Sequence, residues 1–104
     1  MSAVLASKIG LHGLAQITYD ADGALSLEPQ HALLDATSAN TAMTLANGGD
    51  NMTGKFLLVE CEDASNTCDV DYNNAAGAAT ETFTAAGQVL VLLNTANGVW
   101  KKLA

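Results

Sequence analysis

The stretch DVDYNN puts Asp69, Asp71 and Asn73 at the first three ligand spacings of a calcium-binding EF-hand loop. The glycine that such a loop needs for its sharp turn is replaced by Asn74, and its twelfth position holds Thr80 where a bidentate Glu belongs. The triplet therefore reads as the solvated side of a strand, with a weak, low-order cation site as the functional alternative. Cys61 and Cys68 are the only cysteines. A cross-strand disulfide and a pair of small buried hydrophobes both fit them, and a reducing compartment favours the second. Their spacing is not that of a CxxC redox or metal motif.

The other chemistry-bearing residues are scattered. His12 and His31 lie far apart, with no Cys or carboxylate at zinc-ligand spacing. No serine sits in a nucleophile-elbow context of the GxSxG kind. Glu60, Glu62 and Asp63 cluster, and paired carboxylates can do acid-base work, but a charged turn is the simpler reading. NGGD at Asn47 to Asp50 lacks the lysine and the strand-to-helix setting of a phosphate loop. Trp100, the lone tryptophan, either anchors a partner or fills the core against Leu92. Nothing here makes an enzyme, and no cofactor is expected.

The totals point the same way. A chain of 104 residues is one domain by size. Only 14% of residues are charged and 49% are hydrophobic, so some surface is expected to be covered by a partner. The net charge is −7 and only four residues are Lys or Arg, which excludes phosphate-led nucleic-acid binding and disfavours an anionic membrane. The first sixteen residues are mildly apolar without the basic leading region of a signal peptide, and no run reaches the ~20 apolar residues of a membrane span.

Strands must position whatever works here. No internal repeat is evident. ITYDADGALSL reads as a hairpin turning at Asp22-Gly23, and HALLDA reads as a strand. In KFLLVECED, Leu57, Val59 and Cys61 share one face; in TCDVDYN, Cys68, Val70 and Tyr72 face one way and Asp69 and Asp71 the other. Folding these two segments together as an antiparallel hairpin over 55–73 sets Cys61 opposite Cys68, Val59 opposite Val70 and Leu57 opposite Tyr72. QVLVLL is apolar on both sides, as a fully covered strand should be. After the NTANG turn, VWKKL is expected to pair Trp100 with Leu92 and Lys101 with Val91, near a sheet edge that the lysines blunt. These elements predict a mainly β fold, a small antiparallel β-sandwich or barrel.

The order AMTLANGG, MTGKFLLVECED, TCDVDYNN, TETFTAAGQVLVLLNT and ANGVWKKL over residues 42–103 resembles small β-structural proteins of tailed bacteriophages. It looks like the head decoration, or capsid cement, proteins, and also like β modules of tail fibres. A chain that starts at Met1 and stops just after its Trp strand suits the former better. The resemblance implies a β-tulip-like body over 17–104 and an extended N-terminal arm over 1–16. It also implies a homotrimer on the outer capsid surface of the virion, made in the host cytoplasm, with the major capsid protein as partner and no nucleic acid or membrane. Leu5, Lys8, Ile9 and Leu11 of the arm, with Trp100, are the expected contact residues. The alternative is a tail-fibre or baseplate module that binds host glycan through Trp100, and a small hydrolase-like enzyme is a third reading.

Overall fold

Alternation of apolar and polar residues sets the strands, and the corners between them decide how they stack. The computed structural model describes residues 14–49, 52–73 and 79–104. They form nine strands: β1 (Gln16–Tyr19), β2 (Gly23–Ala24), β3 (His31–Asp35), β4 (Thr41–Leu45), β5 (Phe56–Asp63), β6 (Cys68–Tyr72), β7 (Ala79–Thr82), β8 (Val89–Asn94) and β9 (Trp100–Lys102). Sheet A has the order β1-β3-β5-β8-β9 and sheet B the order β2-β4-β6-β7. The fold is mainly β, as the sequence predicts, and the body measures 36 × 33 × 19 Å. The thin dimension suits two sheets about 10 Å apart with their outer side chains. Gln16, within the expected arm, already belongs to β1, and Ala15 O accepts from His31 N at 2.8 Å.

The strand pairing differs from the antiparallel one expected of the sandwich or barrel. β1, β3 and β5 are parallel neighbours in sheet A, and β2, β4 and β6 are parallel neighbours in sheet B. The chain therefore alternates between sheets and winds through three flattened, stacked coils. Antiparallel strands finish the stack, with β7 on β6, β8 on β5 and β9 on β8. Each coil turns out of sheet A at an Asp-Ala pair: Asp20-Ala21, Asp35-Ala36 and Asp63-Ala64. In the second and third corners the aspartate does the same work. Asp35 Oδ1 accepts from Thr37 N at 3.0 Å, and Asp63 Oδ1 accepts from Ser65 N at 2.7 Å. The Ser65 hydrogen bonds hold the Asp63 carboxyl below its ordinary range. This is an internal repeat that the sequence reading missed.

Two expected hairpins are corrected by this winding. Asp22-Gly23 is part of a corner between sheets, and Asp22 Oδ1 accepts from Ala42 N at 2.9 Å. β5 and β6 lie in opposite sheets, so Val59 pairs with Ala32 and Leu90, and Val70 with Met43 and Glu81. The faces nevertheless fall as expected. Leu57, Val59, Cys61, Cys68, Val70 and Tyr72 all point into the shared core. Cys61 and Cys68 lie in opposite sheets and face the shared core as free, buried thiols, instead of facing each other across a ladder.

Burial, followed by the influence of the Cys61 thiol, pushes the Cys68 thiol up from 9.0 to about 12. The folded chain thus holds this proton more tightly than the unfolded chain. The stability it contributes is intact below pH 9 and is lost as the pH climbs toward 12. Replacing Cys68 with Ala is expected to flatten that alkaline loss in thermal melts across the window. Equal alkaline slopes for the variant and the wild type would contradict the assignment.

The C-terminal strand is held by side-chain amides. Asn73 takes a left-handed backbone (φ 62), which asparagine tolerates, and clasps Trp100 from both sides. Its Nδ2 donates to Trp100 O and its Oδ1 accepts from Trp100 N, each at 2.7 Å. A short 3-10 turn at Ala96–Gly98 joins β8 to β9. Trp100 consequently pairs with Asn94 and Lys101 with Leu93, two positions along β8 from the expected register.

Candidate interaction face

Each sheet has an inner face in the core and an outer face, and the two outer faces differ in chemistry. On sheet B the outward positions are Ala42 and Thr44 of β4, Asp69 and Asp71 of β6, and Thr80 and Thr82 of β7. Thr80 Oγ1 donates to Asp71 Oδ1. Partial burial, then the charges of Asp71 and Asp22, raise the Asp69 carboxyl above its ordinary value. This face is polar and acidic. The EF-hand spacing does not become a loop here, because Asp69 and Asp71 lie on a flat strand and Asn73 turns inward to Trp100. Among the described residues, no group of three or more His, Cys, Asp or Glu is placed to hold a metal ion.

The outer face of sheet A is apolar. Its rows follow the strand register: Phe56 beside Leu93, Leu58 beside Val91, and Glu60 beside Val89. On the parallel side, Leu58 neighbours His31, and Glu60 neighbours Leu33. Leu33, Phe56, Leu58, Val89 and Leu93 are half-buried, and Val91 is fully buried at 0% exposure. Leu103 continues the row beside Val91, donating its N–H to Val91 O at 2.8 Å, and is 52% exposed. The polar groups within this patch pair with each other, His31 Nε2 to Glu60 Oε1 at 2.9 Å. Lys101 stands at the rim on β9, the edge strand, where its charge discourages stray pairing. Lys102 bridges to Glu81 of sheet B at 3.0 Å across the open edge, a surface pair contributing at most about 1 kcal/mol.

Strand spacings of about 4.8 Å and rises of about 3.3 Å give this face roughly 300 Å². The largest apolar patch of a typical monomer is about 300–600 Å² and often functional, so this face is of ordinary size and is a candidate by its composition and its contrast with sheet B. The sequence reading found one part of it, the two-sided run Val89 to Leu93. It missed Leu33, Phe56 and Leu58, although FLLV and HALL carry adjacent apolar residues that cannot all point inward along a strand.

Of the expected contact residues, Leu5, Lys8, Ile9 and Leu11 lie outside the described residues. Trp100 is 1% exposed, and its Nε1 donates to Ala46 O at 3.0 Å. It occupies the core, the alternative that the sequence also allowed, and offers no surface to a partner. Among the described residues, no helix is long and apolar enough to cross a membrane. Comparison with protein families and with curated proteins finds no match.

Proposed function

We propose that this chain is a virion structural protein that decorates and cements the outer surface of a bacteriophage capsid. The observation that carries this reading is the asymmetry of the body, with one apolar outer face on sheet A and one acidic, threonine-rich face on sheet B. A cement protein needs a rigid body with one side that seats on the shell and one that stays in water. Stacked coils closed by β8 and β9 provide the rigidity. The resemblance in strand order supplies the partner, the major capsid protein, and the homotrimeric state. The tail-module reading leaned on Trp100 as a glycan platform, and the burial of that residue removes its main support.

A face of roughly 300 Å² is small beside the ~800 Å² per partner of a standard stable interface. Each copy then contributes modest affinity, and three copies in one trimer raise avidity without new contacts. The double variant Leu58→Glu with Leu93→Glu tests the face directly. It is expected to fold, because both side chains point outward, and to bind capsids at least about tenfold more weakly in cosedimentation, as charges placed in an apolar contact should. Binding equal to the wild type would remove the face from the interface. Particles lacking the protein are expected to release DNA at lower temperature, and equal heat stability would remove the cement role.

A further inference from the structure

We propose that the open edge of β1 pairs with the same edge of a second copy of this chain, in a two-fold antiparallel contact centred on Ile17. Among the described residues, four strands stand at sheet edges: β1 and β9 in sheet A, β2 and β7 in sheet B. Three of them are blunted against stray pairing. β9 carries Lys101 and Lys102, β7 carries Glu81 on its core side beside Val70, and β2 is two residues long. β1 reads QITY, with no charge and no proline, and Gln16, Ile17 and Thr18 are all exposed. Ile17 is on the core side of its sheet, in register with fully buried Ala32, yet it is 40% exposed. Among the described residues the other large hydrophobic side chain so exposed is Leu103, which belongs to the apolar face.

The backbone of this edge is self-complementary. Ala15 O accepts from His31 N, which turns the peptide groups of Ala15, Ile17 and Tyr19 toward β3. The N–H and C=O of Gln16 and Thr18 therefore point away from the sheet. An antiparallel partner uses such groups in pairs, each pair exchanging two N–H···O bonds. With Ile17 opposite Ile17 of the second copy, Gln16 falls opposite Thr18 and Thr18 opposite Gln16, and every one of these outward groups is bonded. The two isoleucines then meet at a non-hydrogen-bonded position, where Cα atoms approach to about 4.5 Å and the side chains touch. The next registers on either side set Ile17 against Ala15 or Tyr19 instead and leave the isoleucines apart. Strands this short bury less than the ~1,600 Å² of a standard interface, so the contact is weak and reversible by itself. Its axis is normal to sheet A, so the apolar outer faces of both copies look the same way. In a trimeric assembly it joins copies of neighbouring trimers. The inference rests on this edge alone: its failure leaves the capsid role standing, and failure of capsid binding leaves the contact standing.

Disulfide trapping in the full-length chain reads the register. The single variants Gln16→Cys, Ile17→Cys and Thr18→Cys are treated with oxidised glutathione, and covalent dimer is followed on non-reducing gels. Ala86→Cys, in the exposed turn before β8, sets the rate of random collision. The native Cys61 and Cys68 are buried, and the wild-type chain measures their background. Near-ultraviolet dichroism of buried Trp100 checks that each variant is folded. Ile17→Cys is expected to dimerise at least about tenfold faster than Ala86→Cys, because residue 17 faces itself within disulfide reach. Gln16→Cys and Thr18→Cys should stay near the collision rate. Adding Thr18→Pro to Ile17→Cys removes an outward N–H without touching the bonds to β3, and should bring the rate down to that of Ala86→Cys. A rate for Ile17→Cys equal to that of Ala86→Cys overturns the contact, and a faster rate at 16 or 18 overturns the register. Dimerisation that survives Thr18→Pro in a folded chain overturns pairing through the backbone. If the proline variant does not fold, the rates of the single variants still decide.

Discussion

Val59→Asp is expected to abolish folding, whereas Leu58→Asp, one residue earlier on the same strand, leaves a folded domain. Val59 is 0% exposed and sits on the core side of β5, beside Ala32 in β3 and Leu90 in β8. The buried cluster around it holds no cation to pair with a carboxylate. Burying an unpaired charge costs several kcal/mol at least, on top of the lost packing. Domains of this size are stable by only about 5–15 kcal/mol, so the change consumes most or all of the margin. Leu58 points the other way, into the outer patch, where an aspartate reaches water. Circular dichroism and thermal melts of the two variants read the difference. A cooperative transition for Val59→Asp near the wild-type temperature would refute the face assignment.

The second large effect is at a glycine. A methyl group at Gly98 would sit 1.6 Å from the carbonyl oxygen of Gly48 and 2.4 Å from its carbon, and the residue holds φ +74. The obstacle is backbone, so no side chain can swing aside. Gly98→Ala must push the 48 loop from the turn before β9. That breaks the Gly48 N to Gly98 O bond of 2.9 Å and disturbs the Asn94 Nδ2 to Gly98 O bond of 3.2 Å. A loss of about 3 kcal/mol or more is expected. Gly54→Ala and Gly87→Ala separate collision from backbone strain. Both glycines have positive φ (88 and 89), but an added methyl meets nothing within 4 Å. They should lose only about 1 kcal/mol each in denaturant titrations. Equal losses at all three sites would mean that the close approach to Gly48 is not real.

How much of this was legible depends on which physical signal each feature leaves in the chain. Side-chain alternation is local, and it placed Leu57, Val59 and Cys61 on one face and Cys68, Val70 and Tyr72 on another, which the core reproduces. Alternation does not say which strand lies alongside. Cys61 and Cys68 share one core equally well in a hairpin and in a sandwich, so the hairpin register looked consistent and was wrong. Parallel partners such as β3 with β5 are separated by an entire coil and share no turn that could announce them. What does announce them is the recurrence of Asp-Ala at positions 20, 35 and 63, a weak signal of two residues per coil. The error at Trp100 has a local cause. Asn94 reads as a turn residue, but it is a buried strand residue at 0% exposure, which moves the start of the turn and shifts β9 by two positions.

The apolar face of sheet A was half legible for a related reason. QVLVLL is apolar throughout and announces two covered sides. Phe56 and Leu58 sit among Lys55, Glu60 and Glu62, which mask the outer side of β5 as an ordinary solvated one. Only the register beside Leu93 and Val91 joins these residues into one surface. Asn73, which clasps Trp100, left no readable sign, because its role depends on a backbone turn and on a strand far along the chain.

The central claim is that this chain covers the shell in many copies through one apolar face. Counting it in purified virions by quantitative mass spectrometry, against the major capsid protein as internal standard, tests that most directly. Repetition over a shell predicts on the order of hundreds of copies per particle, in a fixed ratio to the capsid protein. A count of a few to some tens would contradict decoration and place the chain in the tail, and its absence from the particle would end the structural reading altogether.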